Sequence, residues 1–413
     1  MKKPILGAGA LALSGALVLS GCSASDEKPA GDVTITYSNF ISNGGNEDNL
    51  KTIVAAFEKE NPGITVKVMT TDYANYFTKL QTDLSAGTEA DVLDVDAGSF
   101  PSYVGDGVFA ALEGVDPSAY RQSVLDTYAV DGAQYGLPTS FSDVVLYYNK
   151  ELFDKAGLEY PTADWTWKDE QAAAAKLTDK AAGVWGDFQP ITYNEYYKAV
   201  QQAGGEFLGA DGKAAFDSPE GIAAAEWLAG KSGTTMPTAA DGAETPDFST
   251  GLFKDGKLAM WHTGIWMFGA LKEVPFEWDI AVEPGDSQKA SAMFSNAVVV
   301  SNNSKNKEAA QKFAEFLSSS DVMVDTRIEA GWELPAVSDE SRLDPYLNAA
   351  PPANRKAVFD ALEAVAPQPN LGRGSQQIQD AVNNALGEIA AGRAQASEAI
   401  PALAKTVNDI LAK

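Results

Sequence analysis

Val33-Thr34-Ile35-Thr36-Tyr37 alternates apolar and polar residues with period two, as a strand does. Outward from it, Leu50, Ile53, Val54 and Phe57 repeat at helical spacing, and Asn61-Pro62-Gly63 stops that helix. Ile64, Val66 and Val68 make a second strand, a helix is expected over about 75–85, and Val92-Leu93-Asp94-Val95 is a third strand. Strand, helix, strand, helix, strand is the pattern of a parallel α/β sheet, because parallel neighbours need a crossover that a helix supplies.

Helix starts are also legible further along. Thr166 with Asp169 three residues on has the form of a capping box, with an acid shorter than the usual Glu. Ser218-Pro219 sets a capping hydroxyl before a proline at the first helical position. Ser304 is expected to open a helix with Ala309, Phe313, Phe316 and Leu317 on one face. Ile378, Val382, Leu386 and Ile389 form one apolar stripe and Leu403, Val407, Ile410 and Leu411 another, and both read as core. Trp165 and Trp167 read as packing a helix start, and Trp227 as core. No internal repeat is visible. Gly136-Leu137-Pro138 and Pro284-Gly285 read as joints, which favours two α/β lobes with crossings between them over consecutive beads.

The chain has 413 residues, with 57 Asp and Glu, 31 Lys and Arg, one His, one Cys and a formal charge of -26. That length predicts two or three domains. One Cys makes no intrachain disulfide, and one Cys with one His builds no Cys/His zinc site. An excess of acid this large repels phosphate backbones and argues against a nucleic-acid partner.

The start of the chain has its own logic. Met1-Lys2-Lys3, an apolar run from Ile5 to Leu19 and then Ser20-Gly21 have the form of a secretory signal peptide. Leu19-Ser20-Gly21-Cys22 resembles the bacterial lipobox at all four positions, which implies that residues 1–21 are removed and Cys22 is lipidated. Cleavage takes two Lys and no acid, leaving a charge of -28. Residues 22–32 are polar and aperiodic and read as a tether, so a membrane anchor on the extracytoplasmic side is expected.

Several motifs fail on inspection. Gly251 to Leu258 falls short of a P-loop, because the magnesium-binding hydroxyl expected after Lys257 is Leu258. Asp94-x-Asp96-x-Gly98 begins like a calcium loop, but Gly105 stands where the bidentate acid belongs. His262 lacks a Gly-x-Ser-x-Gly elbow and reads as a hydrogen-bonded polar residue near a cleft. Among so many acids, carboxylate pairs suited to glycoside hydrolysis carry little information.

Five segments in order carry a resemblance: Ala56 to Val66; Leu84-Ser85-Ala86-Gly87 with Ala90-Asp91-Val92; Tyr135-Gly136-Leu137-Pro138 with Leu146 to Phe153 and Thr166-Trp167; Phe253 to Met260 with Gly264-Ile265-Trp266; and Asn306 to Phe313 with Leu334-Pro335. On these the chain is identified as a member of the extracellular solute-binding proteins that feed sugar-specific ABC importers, the group related to maltose-binding protein. The resemblance implies a two-lobed α/β fold of the periplasmic-binding-protein type (class II), with several hinge crossovers. One lobe would hold residues 33–139 and 295–335 and the other 140–294 and 336–413. It further implies a monomer that closes on a small carbohydrate and presents it to the importer's permease subunits, without cofactor, metal or catalysis.

A sugar offers hydroxyls at its rim and apolar C–H faces, so its site needs flat aromatics and a ring of amides or carboxylates. Trp266 lies where relatives often stack a sugar, with Trp261 and His262 nearby. Trp185 and Tyr193-Asn194-Glu195-Tyr196 fall where the second lobe contributes aromatics, and which Tyr faces the cleft stays open. From the first lobe come Asn39, Phe40, Ser42, Asn43 and Asn46, which lie between the first strand and helix, and Asp96 and Ser99 after the third strand. Ser142 and Asp143 are expected at the first crossing, Asn296 at the second and Trp332 at the third, with Arg373 in a glycine-flanked turn. A polyol or polyamine ligand is the alternative within the fold; Asp96, Asp143 and Glu195 would serve a polyamine. A surface glycoside hydrolase is the alternative outside the binding class.

Overall fold

The computed structural model describes residues 33–41, 46–243, 245, 247–366 and 368–412. Cys22, the signal segment, the tether, Ser42 and Asn43 lie outside these residues, as does the side chain of Arg373.

The opening pattern folds as expected: β1 (Val33–Asn39), α1 (Asn46–Glu60), β2 (Ile64–Thr70), α2 (Tyr73–Ala86) and β3 (Val92–Asp96). Helix α1 buries Leu50, Ile53, Val54 and Phe57, the four residues of its apolar stripe. Helix α2 starts two residues earlier than expected because the Asp72 carboxylate accepts the Asn75 N–H at 3.1 Å and caps it. Strand β1 pairs in parallel with β2 and β3, Val33 opposite Ile64 and Tyr37 opposite Val92.

The sheet then departs from the all-parallel expectation. Two long strands, β4 (Gly136–Asn149) and a later one, Ser291–Val300, extend it in the order β2-β1-β3-(291–300)-β4. The later strand runs antiparallel to both neighbours, with Val92 opposite Val300 and Gly136 opposite Val299. It arrives from the other lobe and so enters the sheet from the opposite end. Past Asp143, β4 leaves this partner and pairs with β5 (Met260–Gly264) and β6 (Trp278–Ala281). One continuous strand thus serves the sheets of both lobes. With β5 and β6 placed, the 291–300 strand is β7.

Period-two alternation sorts the cores onto opposite faces. In β7, Val298 and Val300 join Ile35, Phe57 and Phe313, while Ala297 and Val299 join Tyr76, Leu93 and Phe100. In the second half of β4, Val145 and Tyr147 pack with Trp261 and Trp278, while Leu146 and Tyr148 pack with Phe153 and Met260. Burying each such side chain contributes about 1.5–3 kcal/mol. A helical layer completes the second lobe: α3 (Trp167–Leu177), α4 (Tyr193–Gln202), α5 (Pro219–Gly230) and two later helices, Ser375–Ala390 and Ala396–Leu411. Ile378, Val382, Leu386, Leu403 and Val407 from the two expected stripes are buried there.

The caps follow the sequence with one exception. The Thr166–Asp169 capping box is present, and Ser218 caps α5 through the Gly221 N–H at 3.3 Å. Trp167 and Trp227 stack at 4.8 Å, and Trp165 packs near Phe153. Ser304 opens no helix: its hydroxyl donates to Asp91 at 2.6 Å, and α6 (Lys307–Ser319) begins after Asn306. Pro284-Gly285 is no lobe crossing either, since Gly285 docks on Thr166. A third crossing follows α7 (Asp321–Ala330), where Leu334 and Phe141 exchange backbone hydrogen bonds of 2.9 and 3.1 Å.

Candidate functional site

Where these crossings meet, a cavity of about 320 Å³ opens between the lobes. Phe40 and Tyr73 form part of one wall, their rings edge to face at 5.3 Å. The Tyr73 hydroxyl donates to one Asp96 oxygen at 2.7 Å and the Ser99 N–H to the other at 2.6 Å, so Asp96 is held in place from two sides. Across the cavity stand Asn194 and Trp266, the latter half-buried and edge-on to Phe294 at 5.8 Å. Residues of the three crossings, Ser140, Ser142, Asn296, Trp332 and Glu333, also line it. The Arg327 guanidinium lies 4.0 Å over the Trp332 ring and reaches Glu333 at 3.3 Å.

The family of bacterial extracellular solute-binding proteins matches residues 43–324. The chain belongs to this family. An ABC substrate-binding protein from Listeria monocytogenes, solved in complex with cycloalternan, is 40% identical. It superposes with a TM-score of 0.87, covering 92% of this chain and 99% of its own. An ABC transporter solute-binding protein from Thermotoga lettingae, bound with α-D-tagatose, is 27% identical with a TM-score of 0.83 over 92% and 99% of the two chains. The galactooligosaccharide-binding protein of Bacillus subtilis is 27% identical over 87% of this chain and 86% of its own. The two-lobed α/β binding-protein fold expected from the sequence is the fold these structures share.

In this solute-binding protein, Phe40, Asn46, Asp96, Ser142, Asn194, Trp266, Asn296 and Trp332 of the expected residues line the cleft. Others do not, for reasons of geometry. Trp261 alternates with His262 along β5 and points into the core, 5.8 Å from Tyr147 and 5.5 Å from Phe253. Asp143 alternates with Ser142 along β4 and is buried on the far side, with no partner for either carboxylate oxygen among the described residues. Burial and the nearby Glu283 charge push its carboxyl well above the usual range. Tyr193 is core, packed on Tyr197 and Phe207, and the cleft residues of its segment are Thr192, Asn194 and Glu195. Trp185 bridges to Leu258, with Lys180 over its ring. Asn39 is wholly buried and serves the end of β1, its oxygen accepting from Ile41 N and Thr70 Oγ1. Ser99 orients Asp96 and stands back from the cavity.

Sequence reasoning missed Tyr73, Arg327 and Glu333 as cleft residues, together with Gln368 and Gln379. Tyr73 had a signal, an aromatic at the start of a helix bordering the expected site, and Glu333 another, an acid beside the expected Trp332. The glutamines are brought in from the other lobe by the fold and had none.

His262 reaches the cleft from above a buried ion network. Its Nδ1 lies 2.7 Å from Glu283 and its Nε2 2.9 Å from Glu170, so both nitrogens donate and the ring is an imidazolium. Burial alone would lower its pKa, but the Glu170 charge and the two carboxylate hydrogen bonds raise it to about 9. Lys198 bridges Glu283 at 2.6 Å and Glu195 at 2.7 Å, and Lys231 bridges Glu170 at 2.6 Å and Asp187 at 3.1 Å. Glu195, His262 and Glu283 bring ligand-type atoms within 4.8 Å of one another. The Lys198 ammonium already supplies the cation there, and a protonated His262 has no lone pair for a metal.

Proposed function

We propose that this chain captures a neutral carbohydrate in the interlobe cleft and delivers it to an ABC importer without altering it. The observation that carries this reading is the pairing of an indole face, Trp266, with the aromatic wall of Phe40 and Tyr73 across a cavity edged by amides and oriented carboxylates. Flat rings suit the C–H faces of a sugar, and acceptors already fixed by Tyr73, Ser140 and Asn296 suit its hydroxyls. The cycloalternan-bound and tagatose-bound relatives support a sugar, and the cavity of about 320 Å³ favours a di- or small oligosaccharide. Of the three acids that would serve a polyamine, Asp96 and Glu195 line the cleft and Asp143 does not, and Arg327 and His262 set positive charge among the lining acids, so spermidine is the decisive control.

The test is thermal unfolding with cycloalternan, galactooligosaccharide, maltodextrins and tagatose, with spermidine as control. A cognate sugar should stabilise by about 2.7 kcal/mol at a hundredfold excess over its Kd and be recovered intact. Stabilisation by spermidine alone, or steady release of hydrolysis products, would overturn the reading.

The remaining parts of the proposal concern placement. Cys22 would carry the lipid that holds the mature chain, from residue 22 on, at the outer face of the membrane as a monomer beside its permease. The lobes would divide as 33–139 with 295–335, and 140–294 with 336–413. Cys22→Ser should move the protein from the membrane fraction to the soluble one; unchanged membrane retention would remove the anchor from this account.

A further inference from the structure

Glu333 is the side chain at which the three interlobe segments meet. Ser140 on β4 donates to its Oε2 at 2.8 Å, and Asn296 on β7 donates to its Oε1 at 3.1 Å. Arg327, at the end of α7, donates to Oε2 at 3.3 Å. Glu333 itself stands on the third crossing, one residue before the Leu334–Phe141 bridge. Its side chain is 15% exposed and lines the solute cleft.

A carboxylate offers about four acceptor positions, two on each oxygen. On Oε2 both are taken, by Ser140 and Arg327; on Oε1 Asn296 takes one. Among the described residues that leaves one Oε1 lone pair beside the cavity. Asn296 Nδ2 also lies 3.3 Å from Ser140 Oγ, so the donors are cross-linked around the same acid. A change of lobe angle that shifted β4, β7 and the third segment against one another would break these bonds, since β4 and β7 carry the donors and the third segment the acceptor.

We infer that Glu333 is the clasp of the hinge: a positioning residue that holds the three crossings at the angle of this structure, and whose remaining Oε1 lone pair accepts one solute hydroxyl and so ties binding to lobe angle. The second half rests on the cleft being a carbohydrate site; the first half does not. An acceptor dedicated to a hydroxyl discriminates against a ligand lacking it, because the buried group is then left unpaired.

The experiment measures the interlobe distance distribution of sugar-free protein by double electron–electron resonance. Spin labels are placed on one introduced cysteine per lobe in a Cys22→Ser background, which removes the chain's single native thiol. Glu333→Gln is nearly isosteric but puts an NH₂ where an acceptor is needed, facing either Asn296 Nδ2 or Arg327. It should shift or broaden the distribution, and Ser140→Ala, which removes one donor, should shift it less. Adding Asn296→Asp to Glu333→Gln exchanges donor and acceptor across that bond and should restore the distribution. Calorimetry with cycloalternan should then show affinity reduced about 10–100-fold in Glu333→Gln. An unchanged distribution in Glu333→Gln, or one that the double exchange fails to restore, overturns the clasp. If the wild-type chain ignores cycloalternan, that choice of sugar fails while the distance measurement still decides the clasp. If affinity holds while the distribution shifts, the solute-accepting half is wrong.

Discussion

Trp266→Ala should weaken carbohydrate binding about 10²–10³-fold while the unfolding midpoint moves by only a few degrees. The magnitude is that of an aromatic anchor at the centre of a binding surface, about 3–4 kcal/mol. The stability expectation follows from the half-buried position of the ring at the end of β5, where it lines the cleft and touches only the edge of the core around Tyr147. A second variant separates the ring's presence from its placement. The indole lies directly against Gly264: a Cβ added there would stand 1.8 Å from Trp266 Cζ3. Gly264→Ala keeps the tryptophan but forces it to swing, and should lose affinity by a comparable factor. Isothermal calorimetry on both variants with the sugar found by thermal screening decides the matter. Retained affinity in Trp266→Ala would move the stacking surface to Phe40 and Tyr73.

The second large effect lies beneath the cleft. Lys198→Met should destabilise the protein by about 3–5 kcal/mol, because Glu195 is left buried without a counter-ion and Glu283 keeps only His262. Lys198→Met with Glu195→Gln should recover part of the loss, since the orphaned charge is then gone. The same network sets a pH dependence. The folded pKa of His262, about 9, lies above its ordinary 6.5, so its contribution is fully present below 6.5 and is lost as pH rises through 9. The shift corresponds to stability on the order of 3 kcal/mol. Lys198 and Lys231 are held above the ordinary lysine range by the carboxylates beside them, despite burial acting the other way, and they keep their charge across this window. Urea unfolding at pH 7, 8, 9 and 10 should therefore show a decline that His262→Asn flattens. A wild-type profile level over that range would mean the imidazolium is not held between Glu170 and Glu283.

Much of this molecule was readable from local pattern. The opening strands and helices, the Thr166–Asp169 box, the Ser218 cap and the two C-terminal stripes depend on residues two to four positions apart, and they appear where the spacing puts them. Cleft residues read from neighbourhood were less secure, and strand parity explains why. Trp261 and His262 share a strand, as do Ser142 and Asp143; in each pair one residue faces the cleft and the other the core, and composition does not say which. Ser304 shows the same limit for caps. It has the right residue type, but its hydroxyl is tied to Asp91 and accepts the Asn306 N–H in the turn ahead of the helix, which starts only at Lys307.

By itself the sequence determined the α/β elements, the likeness to sugar-binding proteins, and an acidic chain with a single Cys near its start. The tertiary structure alone decided the antiparallel entry of β7, the buried pairing of His262 with Glu170 across 92 positions, and the meeting of Ser140 with Glu333 across 193. The physical reason is range. Helix and strand periodicity is set by neighbours on one element, whereas the cleft is built from segments brought together only when the two lobes close their cores around shared strands.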